Sequence, residues 1–263
     1  MTAVPLLDTH CHVDAYDDPM SVLDEALAAG VDVVAVTEDP GRYRLLRTRL
    51  GRRPGVKMAL GVHPLRVAAG STAEVARFRR LLPHTDWVGE VGLDFSRAGA
   101  ATRYQQLRVF DALLAETRAW SWPLSVHSRR AEREVVDRLL DARVRAVLHW
   151  YTGSLAVAED ALAGGLWFSI NPAMVASTRS AALLARLPPS RVLLETDGPF
   201  ARQSGRPARP VDLVLLVRRL AELWRVPVEE ARATIIDNQS RLLAQPSRTN
   251  SPDGITTRPH RPG

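Results

Sequence analysis

The chain of 263 residues has one cysteine, one lysine and only 6% aromatic residues. The lone cysteine, Cys11, excludes an intramolecular disulfide and suits a reducing compartment, so a cytoplasmic location is expected. No run approaches the ~20 apolar residues of a membrane span. No basic stretch followed by an apolar run and a small-residue cleavage site marks a secretory leader, and no membrane partner is expected. Lys57 is the single lysine, so the net charge of +6 is carried by arginine. Guanidinium groups grip phosphate with a planar fork. That admits a phosphorylated or nucleic-acid partner, but a compositional bias toward arginine explains the same count equally well.

What is present is a core. Hydrophobic residues make up 46% of the chain, and its length matches the ~250 residues of one α/β barrel. Residues 1–244 are read as a single domain. Residues 245–263 are rich in Pro, Ser, Thr and Arg and poor in apolar groups, which predicts a disordered tail.

Eight short apolar or β-branched runs recur: Val4–Leu7, Val31–Val36, Val56–Leu60, Trp87–Val91, Pro123–Val126, Arg145–Leu148, Leu166–Ile170 and Arg191–Leu194. Amphipathic stretches separate them, among them Met20–Ala29, Ala73–Leu82, Thr102–Thr117 and Ala131–Leu140, and Asp212–Trp224 follows the last run. Eight βα alternations without hairpin signals predict an α/β fold of parallel strands, closed as a (β/α)8 TIM barrel of metallo-hydrolase type. An open doubly wound sheet is the alternative.

The ends of these runs carry the chemistry. The first is followed by His10 and His12, whose spacing puts both imidazoles on one face of an extended strand and Cys11 on the other, as packing. The second ends in Thr37-Glu38-Asp39 and the third in His63, and the fourth carries Glu90 and then Asp94. His127 and His149 close the fifth and sixth, Ser169 and Asn171 the seventh, and Glu195-Thr196-Asp197 the eighth. A barrel gathers all of these on the rim where active sites of this fold lie. Five of the seven histidines stand there, with His84 and His260 apart.

The ligand set read from this pattern is His10, His12, Glu90, His127, His149 and Asp197, enough for two divalent ions of Zn, Mn or Mg if Glu90 bridges them. Two ions ~3.5–4 Å apart clamp both oxygens of a displacement at phosphorus. Glu90 and Asp197 are the catalytic candidates, Asp197 as the group that takes a proton from the attacking water. A carboxylated lysine is an alternative bridge in such barrels, but Lys57 falls at the start of its run, at the wrong end. Substrate contacts are assigned to His63, Arg129 and Trp150, the last as a stacking surface for a base. The arginines Arg130, Arg133, Arg202, Arg206 and Arg209 share the rim. Arg42–Arg49 reads as a helix with Leu45 and Leu46 inward.

In these segments the chain resembles the TatD-type metal-dependent hydrolases: Leu7–His12, Gly61–Pro64, Val88–Asp94, Val126–Arg129, Leu148–Ser154 and Leu194–Pro199, in family order from Leu7 to about Leu243. The resemblance implies a TIM barrel and a divalent-metal nuclease acting on DNA, with all six ligand positions matched. Departures fall where substrate lies: Leu65 replaces a second histidine, Arg130-Ala131 an Asp-Ala pair, and Trp150-Tyr151 a Cys-Phe pair. The segments His127–Arg130 and Thr196–Phe200 are similar to the TatD-like component of Qat anti-phage-defence systems, which implies partner proteins of such a system. Two other readings stay open: hydrolysis of a small ester or amide on the same scaffold, and a mainly structural subunit of a complex.

Overall fold

A computed structural model describes residues 4–68, 72–118, 120 and 122–244. The tail expected at 245–263 lies outside the described residues. Eight parallel strands close into a barrel in sequence order: β1 (Leu6–Cys11), β2 (Val31–Ala35), β3 (Val56–Leu60), β4 (Trp87–Gly92), β5 (Leu124–His127), β6 (Ala146–His149), β7 (Trp167–Ile170) and β8 (Val192–Leu194). The open sheet is thereby excluded. The connecting helices include α1 (Pro19–Ala28), α2 (Pro40–Leu50), α3 (Thr72–Leu81), α4 (Arg103–Thr117), α5 (Glu132–Ala142) and α6 (Leu155–Ala163). After β7 come the short α7 (Pro172–Ala176) and α8 (Ala181–Arg186), and after β8 the longer α9 (Leu213–Trp224) and α10 (Val228–Leu243). No helix among the described residues is long and apolar enough to cross a membrane.

Strand alternation builds two apolar layers. Val31, Val33 and Ala35 of β2 join the large cluster between barrel and helices, while Val34 and the following Val36 enter a smaller cluster inside the barrel. That inner cluster also takes Leu7, Ala59, Trp87, Val147, Trp167 and Leu193. It is closed at the strand starts by Leu242 of α10. Beside it, Gln239 accepts from the Leu7 amide at 3.0 Å and donates to the Pro5 carbonyl at 2.8 Å.

Three expectations need correction. The first run extends to Cys11 rather than stopping at Leu7, because Asp8, Thr9 and His10 find buried partners on β8 and β5 that local hydropathy does not reveal. In α2 the inward residues are Tyr43, Leu46 and Leu50, spaced for one helical face, while Leu45 is exposed. A small antiparallel hairpin, β9 (Arg202–Gln203) with β10 (Arg206–Pro207), follows β8 against the expectation of no hairpins, turning at Ser204-Gly205, both at positive φ.

Candidate metal centre

At the C-terminal mouth, backbone bonds fix the elements that carry the ligands. The Asp197 amide donates to the His10 carbonyl at 2.9 Å and the His12 amide to that of Gly198 at 2.9 Å, clasping β1 to the segment after β8. The Glu90 amide donates to the Thr37 carbonyl at 3.0 Å, joining β4 to β2. Register along β1 shifts between Asp8 and Cys11. This puts Cys11 in the outer cluster although Leu7, an even number of residues away, lies in the inner one. Cys11 is fully buried, its thiol 3.6 Å from the Gly198 carbonyl and facing away from the imidazoles. Glycine is required at several points, two of them beside the ligand-bearing strands. A β-carbon on Gly61 would collide with the Thr37 carbonyl, and one on Gly92, at φ +134°, with that of His127.

All six expected ligands converge, and Glu90 is their hub. One of its oxygens, Oε2, faces His12 Nε2 at 3.1 Å and His10 Nε2 at 3.6 Å. The other, Oε1, faces His127 Nδ1 and His149 Nε2, both at 2.8 Å. Asp197 Oδ1 lies 3.6 Å from the Nε2 atoms of both His10 and His12, which are 3.1 Å apart. Three overlapping groups have their ligand atoms within 4.8 Å of one another: His10, Glu90 and His149; His10, His12 and Asp197; His63, Glu90 and His127. Buried imidazole and carboxylate donors this close suit a divalent cation, which offsets the charge that burial would otherwise penalise.

The outer partners orient the rings. His10 Nδ1 is engaged by Ser125 Oγ at 2.7 Å, leaving Nε2 for the centre. His127 Nε2 meets Asp94 Oδ2 at 2.9 Å, leaving Nδ1, which is the carboxylate–histidine pairing common around metals. The sequence pattern places Asp94 on the rim without a role. Its signal is the four-residue spacing from Glu90, which crosses the strand end and gives no orientation. Glu195 is also a supporting residue: Trp150 N and Asn171 Nδ2 donate to its Oε1 at 3.0 Å, and Ser169 Oγ to its Oε2. Among the described residues His149 Nδ1 has no hydrogen-bond partner, the nearest carboxylate being Glu195 Oε2 at 3.9 Å.

The electrostatics follow from burial and neighbours. Burial alone would raise Glu90, but the charges of His63 and His149 and hydrogen bonds from His10 and His12 hold it well below the carboxylate range. Burial lowers His10, keeping it neutral. For His127 burial is outweighed by Asp94 and Glu90, which raise it to about 9. Burial pushes Asp197 up to about 7 and Glu195 well above its usual range.

The expected substrate contacts divide. His63 is at the centre, Nε2 3.3 Å from Glu90 Oε1, and its Nδ1 accepts from the Leu65 amide at 3.1 Å. Arg129 is exposed and among the described residues its guanidinium has no acidic partner. Trp150, at φ +38°, is half-buried against the outer core, and Tyr151 is buried with its hydroxyl on the Ser154 carbonyl at 2.9 Å. Of the other rim arginines, Arg130 is exposed with no acidic partner for its guanidinium among the described residues, and the remaining four are occupied within the protein. Arg133 binds Asp160 at 2.7 Å, Arg206 binds Asp212 at 2.6 Å and Arg209 binds Glu25 at 2.8 Å, while Arg202 donates to the Gly205 carbonyl. Phe200, to which the sequence pattern gives no role, is 57% exposed, and its ring meets that of His12 edge-on at 4.9 Å.

Comparison with known proteins agrees with this geometry. Residues 7–244 match the family model described as TatD related DNase. Human deoxyribonuclease TATDN3 is 30% identical over 260 residues, 91% of this chain and 95% of that protein. The 3'-5' ssDNA/RNA exonuclease TatD of Pantoea vagans is 32% identical over 243 residues, 86% of this chain and 93% of that protein. The crystal structure of the TatD homologue YjjV from Escherichia coli superposes with a TM-score of 0.81 at 26% identity, covering 90% of this chain and 97% of that one. With its barrel closed, its buried histidine and carboxylate clusters at the mouth and nearly its whole described length matched, the chain belongs to the TatD-related DNase family of metal-dependent hydrolases.

Proposed function

We infer that the chain is a divalent-metal-dependent phosphodiesterase that cleaves DNA at the barrel mouth. The observation that carries this reading is the division of Glu90, Oε2 toward His10 and His12 and Oε1 toward His127 and His149. It supports two ions of Zn, Mn or Mg, one held by His10, His12 and Asp197, the other by His127 and His149, with Glu90 shared. When bound, such ions supply Lewis-acid stabilisation of the phosphoryl oxygens and lower the pKa of water.

The remaining work falls to the chain. Asp197 Oδ1 is the carboxylate assigned to accept the proton of the attacking water. His63 is a substrate contact rather than a ligand. Its Nδ1 is already an acceptor, which leaves Nε2 as the ring position to donate to a phosphate oxygen. Arg129, with no acidic partner among the described residues, adds a guanidinium for a phosphate. Phe200 offers exposed ring surface for stacking an unpaired base, a role that the packing of Trp150 against the outer core takes from that ring. Work alongside other defence proteins rests on the segments His127–Arg130 and Thr196–Phe200 alone, and co-purification from the native host is its test.

The purified protein should contain divalent metal and degrade single- or double-stranded DNA in a chelator-sensitive way. Glu90→Ala should lose metal and about 10³-fold in activity, the scale of several kcal/mol of lost charge stabilisation. Chelator-resistant cleavage, or a fully active variant, overturns the mechanism. Bound metal without DNA cleavage transfers the site to a small ester or amide.

A further inference from the structure

We propose that the cleft between the loops after β4 and β5 is a second phosphate subsite, which holds a phosphodiester of the bound strand beyond the one being cleaved. The proposal rests on the phosphodiesterase reading of the mouth. The cleft has a volume of about 820 Å³ and is lined by Phe95, Ser96, Arg97, Ala98, Arg129 and Arg130. Its two walls follow the centre in the chain, Phe95 next after Asp94 and Arg129 two residues after His127. A bond from the Phe95 amide to the Arg129 carbonyl at 2.9 Å ties those walls together.

Charge is the informative property. Arg97, Arg129 and Arg130 are all exposed, and among the described residues none of their guanidinium groups has an acidic partner. Adjacent arginines do. Arg103 binds Glu134 at 2.7 Å while lying over the Phe95 ring at 4.2 Å, and Arg133 spans Asp137 and Asp160. Three like charges around one concavity repel one another unless an anion enters. The volume suits a nucleotide-sized fragment. A strand anchored by one phosphate at the centre presents its neighbouring phosphates to such a cleft without base selection. Arg130 sits at φ +60°, a conformation unfavourable for any residue with a β-carbon, in a turn closed by the Ala131 amide on the Ser128 carbonyl at 3.0 Å.

The test compares wild type with Arg97→Ala/Arg130→Ala, using Arg133→Ala as a control that removes an already paired charge. Binding of a fluorescein-labelled single-stranded octanucleotide is measured in chelator, where no chemistry occurs, across a salt series. The double variant should lower the slope of log affinity against log salt by ~0.7, the value for the one phosphate no longer neutralised. With metal present, the gain in kcat/KM from dinucleotide to octanucleotide should shrink about tenfold or more in the double variant. An unchanged slope and an unchanged length gain in a folded double variant overturn the subsite. Inhibition by inorganic phosphate that the double variant relieves, with no length gain in wild type, reassigns the cleft to free phosphate and also overturns it. If wild type cleaves neither oligonucleotide, the phosphodiesterase reading fails, and the salt slope still decides whether the cleft binds a strand.

Discussion

The two ends of the barrel use the same eight strands for opposite purposes. At the strand starts, Leu7, Trp87, Trp167 and Leu242 fill the interior, and Arg191 and Arg241 lie over the Trp167 ring at 5.0 and 5.3 Å. At the strand ends, the buried side chains are Asp8, His10, His12, Glu90, His149, Glu195 and Asp197. Apolar burial stabilises one end by removing surface from water. Burying carboxylates and imidazoles at the other costs free energy unless hydrogen bonds or a cation compensate. The polar end is therefore paired densely, with Asp8 alone taking bonds from the His10 amide at 3.2 Å and from both the amide and hydroxyl of Thr196 at 3.0 and 2.5 Å. Stability and chemistry are separated along one axis.

That separation is open to attack from either end. The largest effect expected is on stability, from Leu242→Ala at the closed end. Leaving a cavity against Trp167 and Leu7 should cost about 2–5 kcal/mol and lower Tm on the order of 10 °C, while kcat of the folded fraction stays at the wild-type value. Calorimetry and steady-state kinetics below Tm check both. A large loss of kcat would show that the two ends are coupled.

At the open end, metal binding should depend on pH with a defined sign. His127, raised to about 9, and Asp197, raised to about 7, hold protons in chelated protein that a cation must displace. Affinity should rise with pH up to about 9 and fall by about tenfold per unit below it for each proton displaced. Calorimetric titrations in buffers of different ionisation enthalpy count those protons. A pH-independent affinity would mean that the ligands are already deprotonated.

Asp94→Asn probes the support of the centre. It keeps the shape of the side chain but removes the charge facing His127 Nε2, and metal affinity should fall about 10–100-fold with little change in Tm. An unchanged affinity would reduce Asp94 to a loop-fixing role through the Ser96 amide, to which it also bonds at 2.8 Å. The smallest effect belongs to Arg133→Ala. It breaks exposed ion pairs to Asp137 and Asp160 that solvent screens, so Tm should stay close to the wild-type value, with DNA cleavage retained. A marked loss of cleavage would move Arg133 from the paired surface into the substrate path.

Particular residues show where sequence reading stops. His10 and His12 are legible as a pair because a strand puts alternate residues on one face, His127 and His149 because each closes an apolar run, and Glu90 because a carboxylate stands inside one. The helix α10 escapes, since its inward face carries Asn238 and Gln239, whose partners are the Pro189, Val192 and Pro5 carbonyls and the Leu7 amide. Polar residues in those positions erase the apolar stripe that marks a helix. Leu45 misleads for a related reason: hydrophobicity alone does not tell on which side of α2 the barrel lies.

The alternation of apolar runs with helical periodicity, and the recurrence of metal-ligating side chains at the ends of those runs, are properties of the sequence by itself. They follow from local stereochemistry, which needs no knowledge of distant partners. Only the tertiary structure decides that Glu90 divides its oxygens between two sets of imidazoles and that Asp94 orients His127. The same holds for the rim arginines. Arg133, Arg206 and Arg209 are neutralised, while Arg97, Arg129 and Arg130 have no acidic partner among the described residues. Those outcomes depend on groups far apart in the chain, and closure of the barrel alone sets their distances.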